Sequence, residues 1–298
     1  MTLKRNPGTR GYAGGPNRLN TGSRATSGLS PGQDRMQAMP ANHGYVDRDY
    51  LERAGRLLAP IKLRSHELMS LEPGQRLLDL GCGPGIDTVM LGQQVGPTGA
   101  VVGLDMDPDM VEAADTAARL AGVGSWVFHR VANAEQPGLE PGQFDAARSE
   151  RLLMHLTRPE LALRAMVDAT RAGGRVVVID PDWGSLSIDC EELETERALA
   201  RFRAEQGLPN GYSGRRLRAM FLAAGLRDVR VEGHAVVMTD YGLTRFITRM
   251  DEVEDMALGT ERVSQTQLTR WRNALAARAE AGAFYGATTM VVAVGRVP

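Results

Sequence analysis

A glycine-rich turn follows a short apolar run about one quarter of the way along the chain. The run Arg76–Leu80 predicts a buried strand, and Gly81, Gly83 and Gly85 follow it at alternate positions before a predicted helix. Spaced glycines let the backbone turn tightly and let a ligand approach without meeting a Cβ atom. The free N–H groups at the start of a helix attract a negative group. The segment therefore predicts a site for a small ligand with an anionic group.

Two aspartates near this turn narrow the chemistry of that ligand. Asp79 lies inside the strand end, where it would repel a pyrophosphate and attract an ammonium group. Asp105 ends the next predicted strand, where a carboxylate can accept hydrogen bonds from both hydroxyls of a ribose. Dinucleotide-binding proteins use spaced glycines and such an acid too. Asp79 and the G-x-G-x-G spacing favour a ligand that carries an ammonium group over a dinucleotide.

A histidine and a third aspartate follow two later predicted strands. His155 comes after the fourth strand, and Asp180 ends the fifth. Ligands bind at this edge of open α/β sheets, and histidine can accept a proton near neutral pH. We therefore expect His155 to be a general base, with Asp180 as its partner or as a second contact to the substrate. The alternative is structural, with His155 packing or capping and Asp180 capping a turn.

The elements that position these residues alternate between strands and helices. This alternation predicts a parallel, doubly wound sheet. An earlier helix should begin near Asp47 and be interrupted by Pro60. The predicted strands span residues 76–80, 100–105, 126–131, 144–148, 175–180, 229–237 and 288–294.

The first 43 residues differ in composition from the rest. Gly, Pro, Ser, Thr, Asn and Arg dominate, and six basic residues face one acid. Large apolar residues are too sparse to offset the entropy of ordering this segment, so we expect a disordered basic tail over residues 1–43. The alternative is a basic arm that contacts nucleic acid or a partner. The folded domain is expected over residues 44–298.

The overall composition excludes several classes of function. Of 298 residues, 43% are hydrophobic and 24% charged, and the net charge of −1 gives no general attraction to nucleic acid or to acidic membranes. The two cysteines suggest neither a disulfide framework nor a zinc site, and we expect no bound metal. No apolar run approaches the length of a membrane span. A cytoplasmic protein without nucleic-acid or membrane partners is the expectation.

Taken together, the ordered motifs resemble class I S-adenosylmethionine-dependent methyltransferases. The likeness is to the small-molecule group that includes ubiquinone/menaquinone and natural-product methyltransferases. Residues 77–85 resemble the first motif of that family, and Phe144-Asp145 matches the pair that opens its fourth strand. Residues 152–156 and 171–175 are similar to the segments that follow. The resemblance runs from about residue 76 to 180 and continues loosely to 297.

This resemblance implies a Rossmann-like α/β fold and a set of site residues. The sheet should have seven mostly parallel strands with helices on both faces and an antiparallel last strand. Helical cap insertions over the substrate are expected around residues 185–210 and 241–259. The implied contacts to the cofactor are Gly81, Gly83 and Gly85 along its methionine part, Asp79 at its amino group, Asp105 at its ribose, Met106 and Asn133-Ala134 at its adenine, and Ser149 on the methionine side.

The implied activity is methyl transfer from S-adenosylmethionine to an oxygen, nitrogen or carbon atom of a small organic molecule. Secondary metabolism is the expected setting, and a homodimer is one option for its assembly. Two alternatives remain open: a nicotinamide-dependent oxidoreductase and a non-enzymatic cofactor-binding protein of the same fold. The sequence leaves both the acceptor and the methylated atom open.

Overall fold

A seven-stranded sheet forms the centre of the part of the chain that the structure describes. This computed structural model describes residues 48–298, with side chains from Arg53 onward, so the predicted tail lies outside the described residues. The strands are β1 (Arg76–Leu80), β2 (Ala100–Asp105), β3 (Val127–Val131), β4 (Phe144–Glu150), β5 (Thr170–Ile188), β6 (Arg227–Met238) and β7 (Gly286–Arg296).

The strand order confirms a doubly wound sheet with one reversal. The order is β3-β2-β1-β4-β5-β7-β6. Strands β1 to β5 pair in parallel, whereas β7 runs antiparallel to both β5 and β6. The expected seven-stranded, mostly parallel sheet with an antiparallel last strand is therefore confirmed.

Helices cover both faces of the sheet. They are α1 (Arg48–Met69), α2 (Ile86–Val95), α3 (Pro108–Leu120), α4 (Pro159–Ala169), α5 (Leu193–Glu205), α6 (Ser213–Ala223), α7 (Tyr241–Thr248), α8 (Met250–Gly259) and α9 (Gln265–Glu280). A short 3-10 turn, Leu153–His155, follows β4. Within the described residues, no helix has the length and apolar character needed to cross a bilayer.

The expected break of the first helix at Pro60 is wrong. Helix α1 continues through Pro60 to Met69. A proline inside a helix removes one backbone hydrogen bond and crowds the preceding turn. Leu58 and Ile61, on either side of it, are both buried in the main hydrophobic core. Burial of this apolar face offsets the local cost of the proline.

Alternation along the strands separates two cores, one on each face of the sheet. Leu77 and Ala146 are paired neighbours in the first core, and Leu78 and Ala147 are paired neighbours in the second. Successive side chains of a strand point to opposite faces, so each residue's position fixes the layer it enters. This rule decides which β4 side chains reach the functional site.

The helices beyond β5 pack against one another, and α5, α7 and α8 fall within the segments predicted as a cap whereas α9 lies outside them. Helix α5 packs on α8 and α9, and α7 packs on the same two helices. The fully buried Glu254 carboxylate ties them together, because it accepts hydrogen bonds from Arg245 and from the Trp271 indole, at 3.1 Å and 2.9 Å. A buried carboxylate needs such partners, and these contacts fix α8 against α9.

Candidate functional site

One large cavity lies at the carboxyl ends of the central strands. The space between its walls amounts to about 1480 Å³, with the open solvent at its mouth included. The lining comes from the glycine turn, the ends of β2 and β4, the 3-10 turn, and residues 203–208 and 249–256 of the predicted cap.

The glycine turn is held against the end of β2. The amides of Gly81 and Cys82 both donate to the Leu104 carbonyl oxygen, at 2.7 Å and 3.0 Å. Gly81 has φ 78°, and a Cβ atom there would lie 3.0 Å from the Leu152 side chain. Only glycine fits both the backbone angle and the space. Gly81 and Gly83 line the cavity, as the sequence predicts.

Gly85 serves the turn in a different way. It precedes α2 with φ 82°, and a Cβ atom there would lie 2.8 Å from the Ala114 Cβ atom on α3. The described lining of the cavity includes Gly81, Gly83 and Pro84 and does not include Gly85. The structure therefore places Gly85 where two helices approach closely, next to the cavity wall.

Asp105 joins the end of β2 to the glycine turn. Its carboxylate accepts hydrogen bonds from the Gly83 amide at 2.8 Å and from the Asp107 amide at 3.1 Å. Burial raises the pKa of Asp105, and these backbone hydrogen bonds oppose the shift. Asp105 and the half-exposed Met106 both line the cavity. A carboxylate here can bind ligand hydroxyls while it orders the turn.

Asn133 and Ala134 line the same end of the cavity. The Asn133 side-chain oxygen accepts a hydrogen bond from the Glu135 amide at 2.9 Å, which fixes the orientation of the side chain. The two residues follow β3, the strand next to β2, so they lie beside Asp105 and Met106. This grouping is the one that the sequence predicts for an adenine pocket.

Asp79 lies at the bottom of the cavity and is almost fully buried. Its carboxylate lies 3.3 Å from the Arg148 guanidinium. Burial raises the pKa of Asp79 to about 6, and the Arg148 charge opposes that shift. An acid in this place can receive a cationic group of a ligand in addition to Arg148.

A buried ionic network beside Asp79 was not predicted from the sequence. The Lys62 ammonium lies 2.6 Å from Asp87 and 3.1 Å from Glu150, and Arg148 lies 3.3 Å from Asp87 and 3.0 Å from Glu150. Although burial alone would raise both pKa values, these cations hold the pKa of Asp87 well below its usual range and lower that of Glu150. The one signal in the sequence was the pair of charged residues, Arg148 at the end of the predicted strand 144–148 and Glu150 two positions beyond it.

Ser149 takes the opposite direction from its two charged neighbours. It is fully buried, and the described lining of the cavity includes Arg148 and Glu150 but not Ser149. In β4, Ala146 and Ala147 already mark the two faces, and Ser149 shares the face of Ala147. Because of strand alternation, Arg148 and Glu150 line the cavity at the place where the sequence predicts Ser149.

His155 lines the cavity at its other end, close to the predicted cap. It ends the 3-10 turn, whose Leu153 and Met154 carbonyl oxygens accept hydrogen bonds from the Asn210 side chain at 3.3 Å and its backbone amide at 3.0 Å. Burial and the charges of Arg151, Arg203 and Arg249 lower the pKa of His155 to about 4. The imidazole is therefore neutral at pH 7, which is the form that can accept a proton.

Asp180 lies behind the turn that carries His155. It is fully buried inside β5, which continues beyond the predicted strand end at residue 180 to Ile188. Burial raises the pKa of Asp180 to about 7, opposed by the Ser213 hydroxyl and the backbone amides of Met154 and Leu152. The described lining of the cavity does not include Asp180. The structure therefore places Asp180 against the backbone of the turn, so a direct contact with a substrate is not supported.

Metal ligation finds no support in the part of the chain that the structure describes. No group of three His, Cys, Asp or Glu side chains there is arranged to hold a metal ion. Cys82 and Cys190 are both free and buried.

Sequence comparison finds relatives that share these elements. A family model described as a methyltransferase domain matches residues 71–219. The chain is 32% identical over 259 residues to an uncharacterised 37.1 kDa protein in transposon Tn4556 of Streptomyces fradiae, a match that covers 87% of this chain and 72% of that protein. It is 34% identical over 108 residues to the ubiquinone/menaquinone biosynthesis C-methyltransferase UbiE of Vibrio cholerae, covering 36% of this chain and 42% of that protein. The second match thus spans less than half of either protein.

Structure comparison gives a similar fold. The geranyl diphosphate C-methyltransferase of Streptomyces coelicolor A3(2), crystallised with Mg²⁺, geranyl diphosphate and S-adenosyl-L-homocysteine, has a TM-score of 0.54 with this chain. The alignment covers 87% of this chain and 86% of that structure at 16% identity. At this identity the likeness concerns the fold alone.

Proposed function

Because this chain belongs to the methyltransferase family and uses S-adenosylmethionine as its cofactor, we propose that it methylates an oxygen, nitrogen or carbon atom of a small organic molecule. The supporting observation is that one cavity joins the glycine turn at one end to His155 at the other. Methyl transfer needs the cofactor and the acceptor side by side, and both groups of residues line this one cavity.

The residues at the glycine turn fit S-adenosylmethionine. Gly81 and Gly83 have φ angles of 78° and 53°, and they leave the turn without side chains that would fill the space above it. Asp79 suits the ammonium group of the cofactor, and Asp105 suits the two ribose hydroxyls. Met106 suits one face of the adenine with its apolar surface, and Asn133 suits the polar edge of the ring.

Lys62 and Arg148 belong to the same end of the cavity, and we propose that they hold the acids of the turn in place. Their network fixes α1, through Lys62, against the start of α2, through Asp87. Preorganised charges lose little energy by rearranging when a ligand binds. Helix α1 therefore closes one side of the cofactor site.

The bound cofactor supplies a methyl group that is already activated on a sulfonium sulfur. The chain's own residues align the acceptor, exclude water and take up a proton where the acceptor has one. Residues 203–208 and 249–256 cover the cavity on the side of His155. We propose that neutral His155 accepts the proton of a hydroxyl or amine.

Asp180 is proposed as a positioning residue for this base. Its carboxylate faces the backbone of the turn that begins at Leu152 and ends at His155. A group there sets the place of the imidazole through the turn, without touching the acceptor. A role in secondary metabolism, a cytoplasmic location and a homodimer stay predictions.

A product assay with labelled cofactor tests the proposal. The purified full chain is incubated with methyl-labelled S-adenosylmethionine and a panel of phenols, amines and carbon nucleophiles, and methylated products are identified by mass spectrometry. Label in a small-molecule product supports the proposal. Cofactor binding without transfer to any small molecule, together with label on protein or RNA, would contradict it. The nicotinamide alternative predicts hydride exchange with NAD and no methylated product.

A further inference from the structure

A buried histidine lies next to the glycine turn. His129 is on β3, directly opposite Gly103 of β2, and its side chain has no exposed surface. A Cβ atom at Gly103 would lie 2.6 Å from the His129 ring and 2.9 Å from the Cys82 sulfur, so both side chains cover this glycine. Cys82 lines the cavity as a neutral thiol, because burial raises its pKa well above the usual range, and His129 is not part of the described lining. The imidazole is therefore placed to support the turn from behind the cavity wall.

A row of hydrogen bonds leads from α3 through this imidazole to the turn. His129 Nδ1 lies 2.8 Å from Asp115 Oδ1, and its Nε2 atom lies 2.8 Å from Thr88 Oγ1 on α2. The Thr88 hydroxyl in turn lies 3.0 Å from the carbonyl oxygen of Gly85. Both chain neighbours of Gly85 line the cavity. The row therefore connects two helices to the point where the glycine turn passes into α2.

The number of hydrogens fixes the direction of each bond in this row. The Thr88 hydroxyl has one hydrogen, and it donates that hydrogen to the Gly85 carbonyl oxygen, which can only accept. The hydroxyl oxygen must then accept a hydrogen from His129 Nε2, while the Asp115 carboxylate accepts one from Nδ1. A neutral imidazole has one N–H group. All three bonds are made at once only when the His129–Asp115 pair holds one additional proton, with the ring as an imidazolium.

Charged and titratable groups surround the ring on four elements and the turn. They are Asp115, Glu112 and Arg119 on α3, Asp87 on α2, Asp105 on β2, Arg130 on β3 and Cys82 in the turn. Asp87, Asp105 and Arg130 each bind another partner. Glu112 and Arg119 are exposed to solvent. The carboxylate at 2.8 Å from Nδ1 is therefore the direct charged partner of the ring.

Loss of the additional proton would break the row at the turn. The remaining N–H hydrogen stays on Nδ1, because a hydrogen bond to a charged carboxylate is stronger than one to a neutral hydroxyl. The Nε2 atom of His129 then becomes an acceptor and takes the Thr88 hydrogen away from Gly85. The hydroxyl and carbonyl oxygens would face each other at 3.0 Å with no hydrogen between them. The Gly85 carbonyl group, and the turn before it, would have to move.

From this proton count we infer that His129 is a positioning residue for the glycine turn, and that binding of S-adenosylmethionine is coupled to the proton that the His129–Asp115 pair holds. His129 acts through Thr88 and Gly85 and does not touch the cofactor. The inference rests on the proposed placement of the cofactor at the glycine turn. The coupling is reciprocal: a cofactor that binds the ordered turn retains the proton on His129, and loss of the proton weakens cofactor binding.

Calorimetric titration of the full chain with S-adenosylhomocysteine, from about pH 5 to 10, measures the coupled affinity. Wild-type affinity should fall about 3- to 10-fold as His129 loses its proton, which corresponds to one neutral hydrogen bond. This component runs opposite to that of a cavity acid such as Asp105, whose protonation weakens binding as the pH falls.

Nitrogen-15 NMR of the full chain, labelled at histidine, measures the protonation of His129 directly. Spectra are recorded over the same pH range with and without saturating S-adenosylhomocysteine. The His129 signals are assigned by their absence in His129→Gln or, if that variant does not fold, by their response to Thr88→Val. We expect both ring nitrogens to carry hydrogen at the acidic end. The bound ligand should move the loss of the second hydrogen to a pH higher by about half a unit to one unit.

Two variants of Thr88 separate its hydrogen bond from its packing. Thr88→Val keeps the shape of the side chain and removes the hydroxyl, whereas Thr88→Ser keeps the hydroxyl. We expect Thr88→Val to bind S-adenosylhomocysteine at the weaker level at every pH, and Thr88→Ser to retain the pH-dependent component. The matched control is Thr116→Val, because Thr116 is exposed on α3 and accepts a hydrogen bond from Arg119 at 3.0 Å. This control should behave like the wild type.

Failure of this inference and failure of the proposed function give different results. Absence of any S-adenosylhomocysteine binding would contradict the proposed cofactor site, and the spectra of the free protein would still test whether His129 holds both hydrogens. A ring that is neutral throughout the pH range, a titration of His129 that the ligand leaves unchanged, or a Thr88→Val variant with the wild-type pH dependence would overturn the inference.

Discussion

The carboxylate of Asp105 should contribute directly to cofactor affinity. It already accepts hydrogen bonds from the Gly83 and Asp107 amides, at 2.8 Å and 3.1 Å, so it is fixed beside the glycine turn. Replacing Asp105 by Ala removes the acceptor for both ribose hydroxyls and leaves the Gly83 amide without this partner. Unpaired polar groups of this kind cost about 1–3 kcal/mol, which corresponds to a roughly 5- to 150-fold rise in Kd.

Calorimetric titration with S-adenosylhomocysteine measures this change, with Asp109→Ala as the matched control. Asp109 is an exposed acid in the first turn of α3, two helical positions from the Asp107 cap. The control should bind like the wild type, and circular dichroism confirms that both variants are folded. Equal affinity of a folded Asp105→Ala variant and the wild type would refute the assignment of Asp105 to the ribose.

The pH dependence of binding gives the same experiment a second readout. Burial raises the pKa of Asp105 above its usual value. Protonation removes the charge that accepts hydroxyl hydrogen bonds, so wild-type affinity should fall as the pH drops through this raised pKa. Asp105→Ala should lack this component of the pH dependence. A wild type and variant with parallel pH profiles would contradict the reasoning.

Three further predictions concern the base, a buried acid and the helix contact at Gly85. His155→Ala should lower kcat by about 10²–10⁴-fold for an oxygen or nitrogen acceptor with unchanged affinity for S-adenosylhomocysteine; steady-state kinetics check this, His234→Ala is the control, and equal kcat values would remove His155 as the base. The pKa of Asp180 is about 7 in the folded protein, against an ordinary value of 3.8. The buried neutral carboxyl therefore contributes stability that is fully present below pH 3.8 and is lost as the pH rises through 7. Asp180→Asn should therefore gain melting temperature relative to wild type as the pH rises, and a difference independent of pH would contradict the shift. Gly85→Ala should lower the unfolding free energy by about 1–3 kcal/mol more than Gly225→Ala in urea titrations, because a Cβ atom at Gly85 meets Ala114 at 2.8 Å whereas at Gly225, with φ 84°, it meets nothing within 4 Å; equal losses would show that helix α3 moves to accept the added Cβ atom.

The cofactor end of the site could be predicted from the sequence because its signals are local. The glycine turn, Asp79 and Asp105 each adjoin a strand end within a few residues, and parallel strands bring such ends to the same edge. The mostly parallel sheet of seven strands and the antiparallel β7 follow from the family resemblance. Ser149 was assigned to the site wrongly by one position, because neighbouring residues of β4 point to opposite faces of the sheet.

The rest of the site depends on contacts between distant parts of the chain. Lys62 meets Asp87 and Glu150 only because α1 crosses the sheet beside α2 and β4. Arg203 and Arg249 converge on His155 only because α5 packs on α8. A charged residue on a predicted helix is most often solvated, so no local pattern distinguishes these two arginines from their exposed neighbours.

The measurement that tests the account most directly is a crystal structure of the full chain with S-adenosylhomocysteine. We expect the ribose hydroxyls of the ligand on Asp105, its adenine against Met106 and Asn133, and its amino group at Asp79. In that orientation the sulfur faces the part of the cavity that leads to His155. A ligand bound in the reverse orientation, with its sulfur directed away from His155, or bound outside this cavity, would contradict the account.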